Sequence, residues 1–226
     1  MTTIDEQALR RLDQLLQQQL PGAAIKIQTL PRTPGLQLAL LDPEFDDRDL
    51  SQAIKNKLMD DPPYWIFCWA SGYGLAELLL NRHYSVQDKI VVDFGAGSGV
   101  VAIAAKLAGA KKVYACEIDP IGCEVTSLNA AINQVEVEVI RDLSQAKGCE
   151  LLLAADVLYE AANHHFLDLF LQVAENVLVA DSRLKQMPNS HYQFWQTLAT
   201  TSFPDFHEAL EFNQVNFYRG ESAHPC

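Results

Sequence analysis

The chain has 226 residues, 49% of them hydrophobic and 20% charged, ordinary values for a folded protein with one sizeable core. Seventeen basic residues against 29 acidic ones leave a net charge of −12, which speaks against a broad basic face for nucleic acid or an anionic membrane surface. No apolar run approaches the roughly eighteen residues that a bilayer-spanning helix needs, so the expectation is a cytoplasmic protein with no membrane partner.

The opening MTTIDEQALRRLDQLLQQQL lacks the apolar stretch of a secretory signal, and Asp5 and Glu6 argue against a mitochondrial transit peptide. The same segment places Leu9, Leu12, Leu16 and Leu20 at helical spacing, predicting a helix over 5–20 that stops at Pro21-Gly22. Strand-like runs follow at Ala24–Leu30 and Leu36–Leu41, separated by the turn signal PRTPG. Asp42 to Asp61 is acid-rich and reads as loop plus a short helix, either a solvated face or a dock for a basic partner. An apolar run carrying Trp65 and Trp69 leads into a helix over Gly72–Leu80, and core packing is the default role for both tryptophans.

From residue 89 strands and helices alternate. Strands are expected at Lys89–Phe94, Lys112–Cys116, Val135–Ile140, Leu151–Ala155 and Asn176–Ala180. The helices between them are expected at Gly99–Ala108, Pro120–Asn133 and Ala162–Ala174. That alternation means a parallel sheet of βαβ units. The tail from Phe206 to Arg219 reads instead as two strands in sequence, a hairpin that adds an antiparallel strand.

The five cysteines (Cys68, Cys116, Cys123, Cys149, Cys226) form no CxxC pair and read as reduced, mostly buried thiols. The six histidines show no metal-binding spacing, and the adjacent His164 and His165 read as surface residues near a helix start. No dense acidic cluster points to a catalytic magnesium, so no metal is expected.

The chemistry concentrates where Ile90–Phe94 runs into Gly95-Ala96-Gly97-Ser98-Gly99 and then a helix. Glycines there permit positive φ and close approach of a ligand to the backbone, beside the positive end of a helix. A dinucleotide fingerprint needs GxGxxG, but the third glycine position is Val100. Asp93, two residues before the first glycine, would repel a pyrophosphate but attract the amine or sulfonium of S-adenosylmethionine. Glu117 ends the second strand, where an acid can accept from both ribose hydroxyls. Ile118 can pack on an adenine face, and Asp142 after the third strand can accept from an adenine amino group. Each acid alone can be a solvating residue at a strand end; three at successive strand ends beside GxGxG favour a methyl-donor site.

VVDFGAGSG, ACEIDP and the strand order resemble the class I, seven-β-strand S-adenosylmethionine methyltransferases, over residues 62–219. PPYWIFCWASGYGLAELLL, IAAKLAGAKKVYACEIDPIG and LLLAADVLYE narrow this to the DxxY protein-lysine methyltransferases, most like the electron-transfer-flavoprotein β-subunit lysine methyltransferases. The resemblance implies an α/β, Rossmann-like seven-stranded, mostly parallel sheet. It has an antiparallel C-terminal strand, helices on both faces and a small N-terminal α/β extension. Residues 1–60 would be the extension and 61–226 the methyltransferase domain. It also implies S-adenosyl-L-methionine as donor, with Gly95, Gly97 and Ala155 beside it and Trp69 against it.

Asp156 and Tyr159, in Ala155-Asp156-Val157-Leu158-Tyr159, stand at the carboxyl end of the fourth strand, where an acceptor enters an open α/β sheet. Val157-Leu158 replaces the Pro-Pro of enzymes that methylate flat amides or bases, which favours a flexible amine. The resemblance assigns Asp156 and Tyr159 to holding a target lysine, and names electron-transfer flavoprotein β-subunit or a ribosomal protein as candidate partners. Asp156 can also be a helix N-cap and Tyr159 a packing residue. Asp181-Ser182 faces the same crevice without an assigned role. Three other readings stay open: a small-molecule amine as acceptor, an NAD-type oxidoreductase, and a catalytically dead fold that binds a partner.

Overall fold

A computed structural model of the chain describes residues 6–46, 48, 50–54, 56, 62–205 and 209–222. Helix α1 (Glu6–Gln19) leads into a hairpin of β1 (Ile25–Thr29) and β2 (Gln37–Leu41), antiparallel with Ile25 opposite Leu41. Helix α2 (Ala70–Leu80) precedes β3 (Ile90–Phe94), α3 (Val100–Leu107), β4 (Lys112–Cys116), α4 (Pro120–Ile132) and β5 (Glu138–Ile140). Then come β6 (Leu151–Ala155), α5 (Phe166–Val173), β7 (Asn176–Asp181), β8 (Tyr192–Ala199) and β9 (Gln214–Glu221).

The large sheet has seven strands in the order β5-β4-β3-β6-β7-β9-β8. β3 to β7 run parallel, β9 is antiparallel to β7, and β8 is antiparallel to β9. This is the Rossmann-like, mostly parallel arrangement expected from the sequence. Side chains alternate between its faces although the strands read as continuous apolar runs. Val91, Leu151, Leu153 and Leu178 pack on one side with Leu75 and Leu79 of α2 and Ile103 of α3. Val92, Leu152, Val177 and Val179 pack on the other with Leu167 and Phe170 of α5. A third cluster joins Leu12, Leu16 and Leu20 to Trp65 and to Val125, Leu128 and Ile132 of α4. The apolar stripe of α1 therefore buries against a helix of the large sheet, and Trp65 has the packing role expected of it.

The closing hairpin starts earlier than the sequence indicates. Its first strand is Tyr192–Ala199, not part of the tail after Phe206, a residue outside those described. β8 is an edge strand with half its residues toward solvent and a register break between Phe194 and Gln196. Both features erase the two-residue apolar alternation that would reveal it. β5 is shorter than expected, beginning at Glu138 rather than Val135.

Among the described residues no helix is long and apolar enough to cross a membrane, and no cluster of metal-ligating side chains occurs. Cys68, Cys116, Cys123 and Cys149 are free thiols, and burial pushes Cys116 and Cys149 up to about 12. Cys226, Asp5 and part of the acidic stretch Asp42–Asp61 lie outside the described residues.

Candidate active site

The sheet reverses direction of growth between β3 and β6, so a crevice opens beyond the carboxyl ends of these neighbours. A cavity of about 760 Å³ occupies it. Trp69, Asp93, Gly95, Gly97, Glu117, Ile118, Asp142, Ala155, Asp156 and Tyr159 all line that one cavity. Residues separated by up to ninety positions in the chain are thus brought together by topology alone.

The glycine turn forms one wall. Gly95 sits at φ +74°, and a Cβ there would stand 2.6 Å from Val157 Cγ1. Gly99 sits at φ +79°, with the Cα of Thr126 in α4 only 3.2 Å from where its Cβ would be. Both positions require glycine, the first so that the loop after β6 can close on the turn, the second so that α4 can approach. The Gly97 amide donates to Glu117 Oε2 at 2.7 Å, and the Ala102 amide, in the first turn of α3, donates to Asp93 Oδ2 at 2.9 Å. Carboxylates therefore take backbone donors that a pyrophosphate would need at a helix N-terminus. The wall is built to receive positive or hydroxyl-bearing groups rather than a diphosphate.

Asp93 is buried, and that burial pushes its carboxyl up to about 7; the Ala102 N–H works against the shift and the charge of Glu117 adds to it. Glu117 also accepts from the Asp119 amide through Oε1 at 2.9 Å, which fixes both its oxygens at the mouth of β4. Asp142 accepts from the Ser144 amide at 2.8 Å as the cap of a short 3-10 turn, and hydrogen bonding to Ser144 holds it below the usual carboxylate range. Ile118 is 78% exposed on the cavity rim, an apolar face with no protein covering it.

The opposite wall carries Asp156 and the aromatic residues. Asp156 has φ +53°, a left-handed conformation that aspartate tolerates better than most side chains. It is not the cap of its own helix. Its Oδ1 accepts from the Ser71 hydroxyl at 2.5 Å, the Ser182 hydroxyl at 3.0 Å and the Ser182 amide at 3.3 Å. Its Oδ2 accepts from the Ser71 amide at 3.0 Å, in the first turn of α2. The carboxylate thus satisfies an orphan donor of a helix in another part of the chain. Beside it, Asp181 is fully buried and accepts from the amides of Arg183, Leu184 and Leu158. Burial, reinforced by the Asp156 charge, pushes Asp181 up to about 6. Of the Asp181-Ser182 pair, without a role in the sequence reading, Ser182 holds Asp156 directly, while Asp181 ties together the loops that follow β6 and β7.

Tyr159 and Tyr64 touch through their hydroxyls at 3.2 Å, and each is more than two-fifths exposed. The Tyr64 ring lies 5.8 Å from Trp69, whose Nε1 donates to the Tyr64 carbonyl at 2.8 Å. Three aromatic rings therefore flank the opening beside Asp156, a surface suited to an alkylammonium group. Sequence reasoning passed over Ser71 and Tyr64. Their only sequence signals are a serine just inside a helix and a tyrosine in an aromatic-rich run.

Comparison with known proteins finds similarity to methyltransferases. Residues 77–177 match the family model described as Ribosomal protein L11 methyltransferase (PrmA). The chain is 36% identical over 128 residues to the electron transfer flavoprotein beta subunit lysine methyltransferase of Danio rerio, covering 53% of this chain and 50% of that protein. The Mus musculus protein of the same name is 34% identical over 149 residues, 62% of this chain and 55% of the relative. The ribosomal protein L11 methyltransferase of Acinetobacter baumannii (strain AYE) is 56% identical over 50 residues, 22% of this chain and 17% of that one. The chain spans about half the length of the lysine methyltransferases it matches. Among solved structures, the magnesium protoporphyrin IX methyltransferase of Synechocystis PCC 6803, with bound SAM, aligns with a TM-score of 0.52 at 14% identity. That alignment covers 79% of this chain and 87% of the other, a likeness of fold. Over residues 77–177 the chain is thus similar to the PrmA methyltransferases, and its sheet shares the fold of a solved methyltransferase.

Proposed function

We propose that the chain transfers a methyl group from S-adenosyl-L-methionine to a lysine amine of a protein, with residues 61–226 as the methyltransferase domain. The observation that carries this is the single cavity with a carboxylate-bearing glycine wall on one side and Asp156, Tyr159 and Tyr64 on the other. The named relatives act on protein lysine or a ribosomal protein, which supports a protein acceptor.

The residues present fit the donor. Asp93 would face its positive groups, Glu117 its ribose hydroxyls, and Ile118 and Asp142 its adenine, while Gly95, Gly97, Ala155 and Trp69 would shape the space. Bound there, the donor supplies an electrophilic methyl carbon on a cationic sulfur. The protein's task is to present a neutral nitrogen, since a free lysine amine has a pKa of about 10.4. Asp156, held rigid by its serine donors, orients that nitrogen and balances the charge that develops as the N–C bond forms and the S–C bond breaks. The aromatic rim excludes water and faces the same charge. Positioning carries most of the effect, because the leaving group is already activated.

The acidic chain favours a basic protein partner over nucleic acid, and its free thiols suit a reducing, cytoplasmic setting. Titration calorimetry with S-adenosylmethionine and with NAD tests the donor. Tight NAD binding with none for S-adenosylmethionine would overturn the proposal. Radiolabelled donor added to a cell extract, resolved on a gel, tests the acceptor, and label confined to small molecules would replace the protein by a metabolite amine.

A further inference from the structure

Strand β2 pairs with β1 along one edge only, and its other edge meets helix α4 instead of a third strand. Asn133 accepts from the Gln37 amide at 2.9 Å and donates to the Gln37 carbonyl at 2.6 Å. One helical turn earlier, Asn129 accepts from the Ala39 amide at 2.7 Å. Four helix residues rise about 6 Å and two strand residues about 6.6 Å, so asparagines at this spacing match alternate residues of a strand. Asn129 is fully buried, and its Nδ2 donates at 2.8 Å to the carbonyl of Ser98 in the glycine turn. Three residues before it, the Thr126 hydroxyl donates to the Gly97 carbonyl at 3.1 Å. One amide side chain therefore links the N-terminal hairpin to the wall of the donor cavity.

We propose that Asn129 is a positioning residue of the donor site, through which the β1–β2 hairpin holds the glycine turn in shape. The inference rests on the donor reading above. A turn of Gly95, Gly97 and Gly99 has almost no side chains to pack, so hydrogen bonds to its backbone are what fix it. Without the Asn129 donor the Ser98 carbonyl is buried and unpaired, and the turn relieves this by swinging out, carrying the Gly97 amide away from Glu117. Coupling is reciprocal: a donor that needs the turn in place tightens the hairpin by the same factor.

The test uses the full chain. Asn129→Asp keeps an acceptor for the Ala39 amide but sets a carboxylate oxygen against the Ser98 carbonyl. Calorimetry with S-adenosylhomocysteine is expected to show affinity weakened roughly tenfold or more, the scale of one unpaired buried group. The KM for S-adenosylmethionine should rise in step, while kcat at saturating donor and the acceptor KM stay within about twofold. Amide hydrogen exchange on the wild type guards against a variant that fails to fold: saturating S-adenosylhomocysteine is expected to slow exchange at Ala39. A folded Asn129→Asp that binds as the wild type does, or Ala39 exchange indifferent to the ligand, would overturn the inference while leaving the donor site standing. A wild type that binds neither S-adenosylmethionine nor S-adenosylhomocysteine refutes the donor reading and this inference with it.

Discussion

Replacing Asp156 with asparagine keeps the size of the side chain but removes its charge and one of its two acceptor atoms. The carboxylate accepts four hydrogen bonds, two from serine hydroxyls and two from the amides of Ser71 and Ser182. The hydroxyls can rotate to accept from an amide nitrogen, but the backbone amides cannot. Either orientation of the asparagine therefore leaves one N–H facing another. One such orphan costs about 1–3 kcal/mol, and charge-assisted bonds become ordinary ones, while relief of the carboxylate's desolvation offsets part of the loss. A net loss of about 2 kcal/mol lowers the melting temperature of a chain this size by roughly 4–8 °C. The rate effect is larger, because the charge opposite the developing ammonium is gone: kcat is expected to fall by about a hundredfold or more. Donor affinity, set mainly at the exits of β3, β4 and β5, should change by less than about fivefold. Melting curves, calorimetry with S-adenosylhomocysteine and single-turnover methyl transfer read the three quantities separately. A variant with lowered melting temperature but undiminished kcat would make Asp156 a helix anchor only. A variant unchanged in both would refute the hydrogen-bond reasoning itself.

Burial pushes Asp93 up to about 7 and Asp181 up to about 6, above the 3.8 of an ordinary aspartate. An acid raised on folding contributes stability below its unfolded value and loses it as pH rises through the folded one, so in the donor-free protein this contribution declines toward neutral pH. A cationic donor favours ionised Asp93. Its affinity should therefore strengthen from about pH 6 to about pH 8, and a pH-independent affinity in the wild type would count against Asp93 facing the donor. Gly95→Ala forces a Cβ to 2.6 Å from Val157 at positive φ and should destabilise by about 1–3 kcal/mol while weakening donor binding; a variant melting with the wild type would contradict the close approach. With a net charge of −12, turnover of a basic protein acceptor should slow as salt rises from about 0.05 to about 0.3 M, through acceptor KM rather than kcat. Salt-independent KM values would remove long-range attraction from the account.

The central sheet is legible in the sequence because β3, β6 and β7 are buried on both faces, which makes them short continuous apolar runs with helices between them. β8 is not, since an edge strand half in solvent and broken at Phe194 carries no such pattern. The same contrast runs through the site. Asp93, Glu117 and Asp156 are visible because each ends a strand, and strand ends converge whatever the loops do. Their partners are not: Ser71 reaches Asp156 across 85 positions, and Asn129 reaches Ala39 across 90. Only the folded helices α2 and α4 set those distances. In isolation Asn129 and Asn133 look like the polar face of a helix near its end, whereas the structure uses them as the missing neighbour of β2.

The measurement that bears most directly on the central claim is peptide mass spectrometry of a protein extract incubated with this chain and methyl-labelled S-adenosylmethionine. The account predicts label on lysine side-chain nitrogens of protein, absent when Asp156→Asn replaces the wild type. Label found only on metabolites, or no transfer from a donor shown to bind, would contradict it.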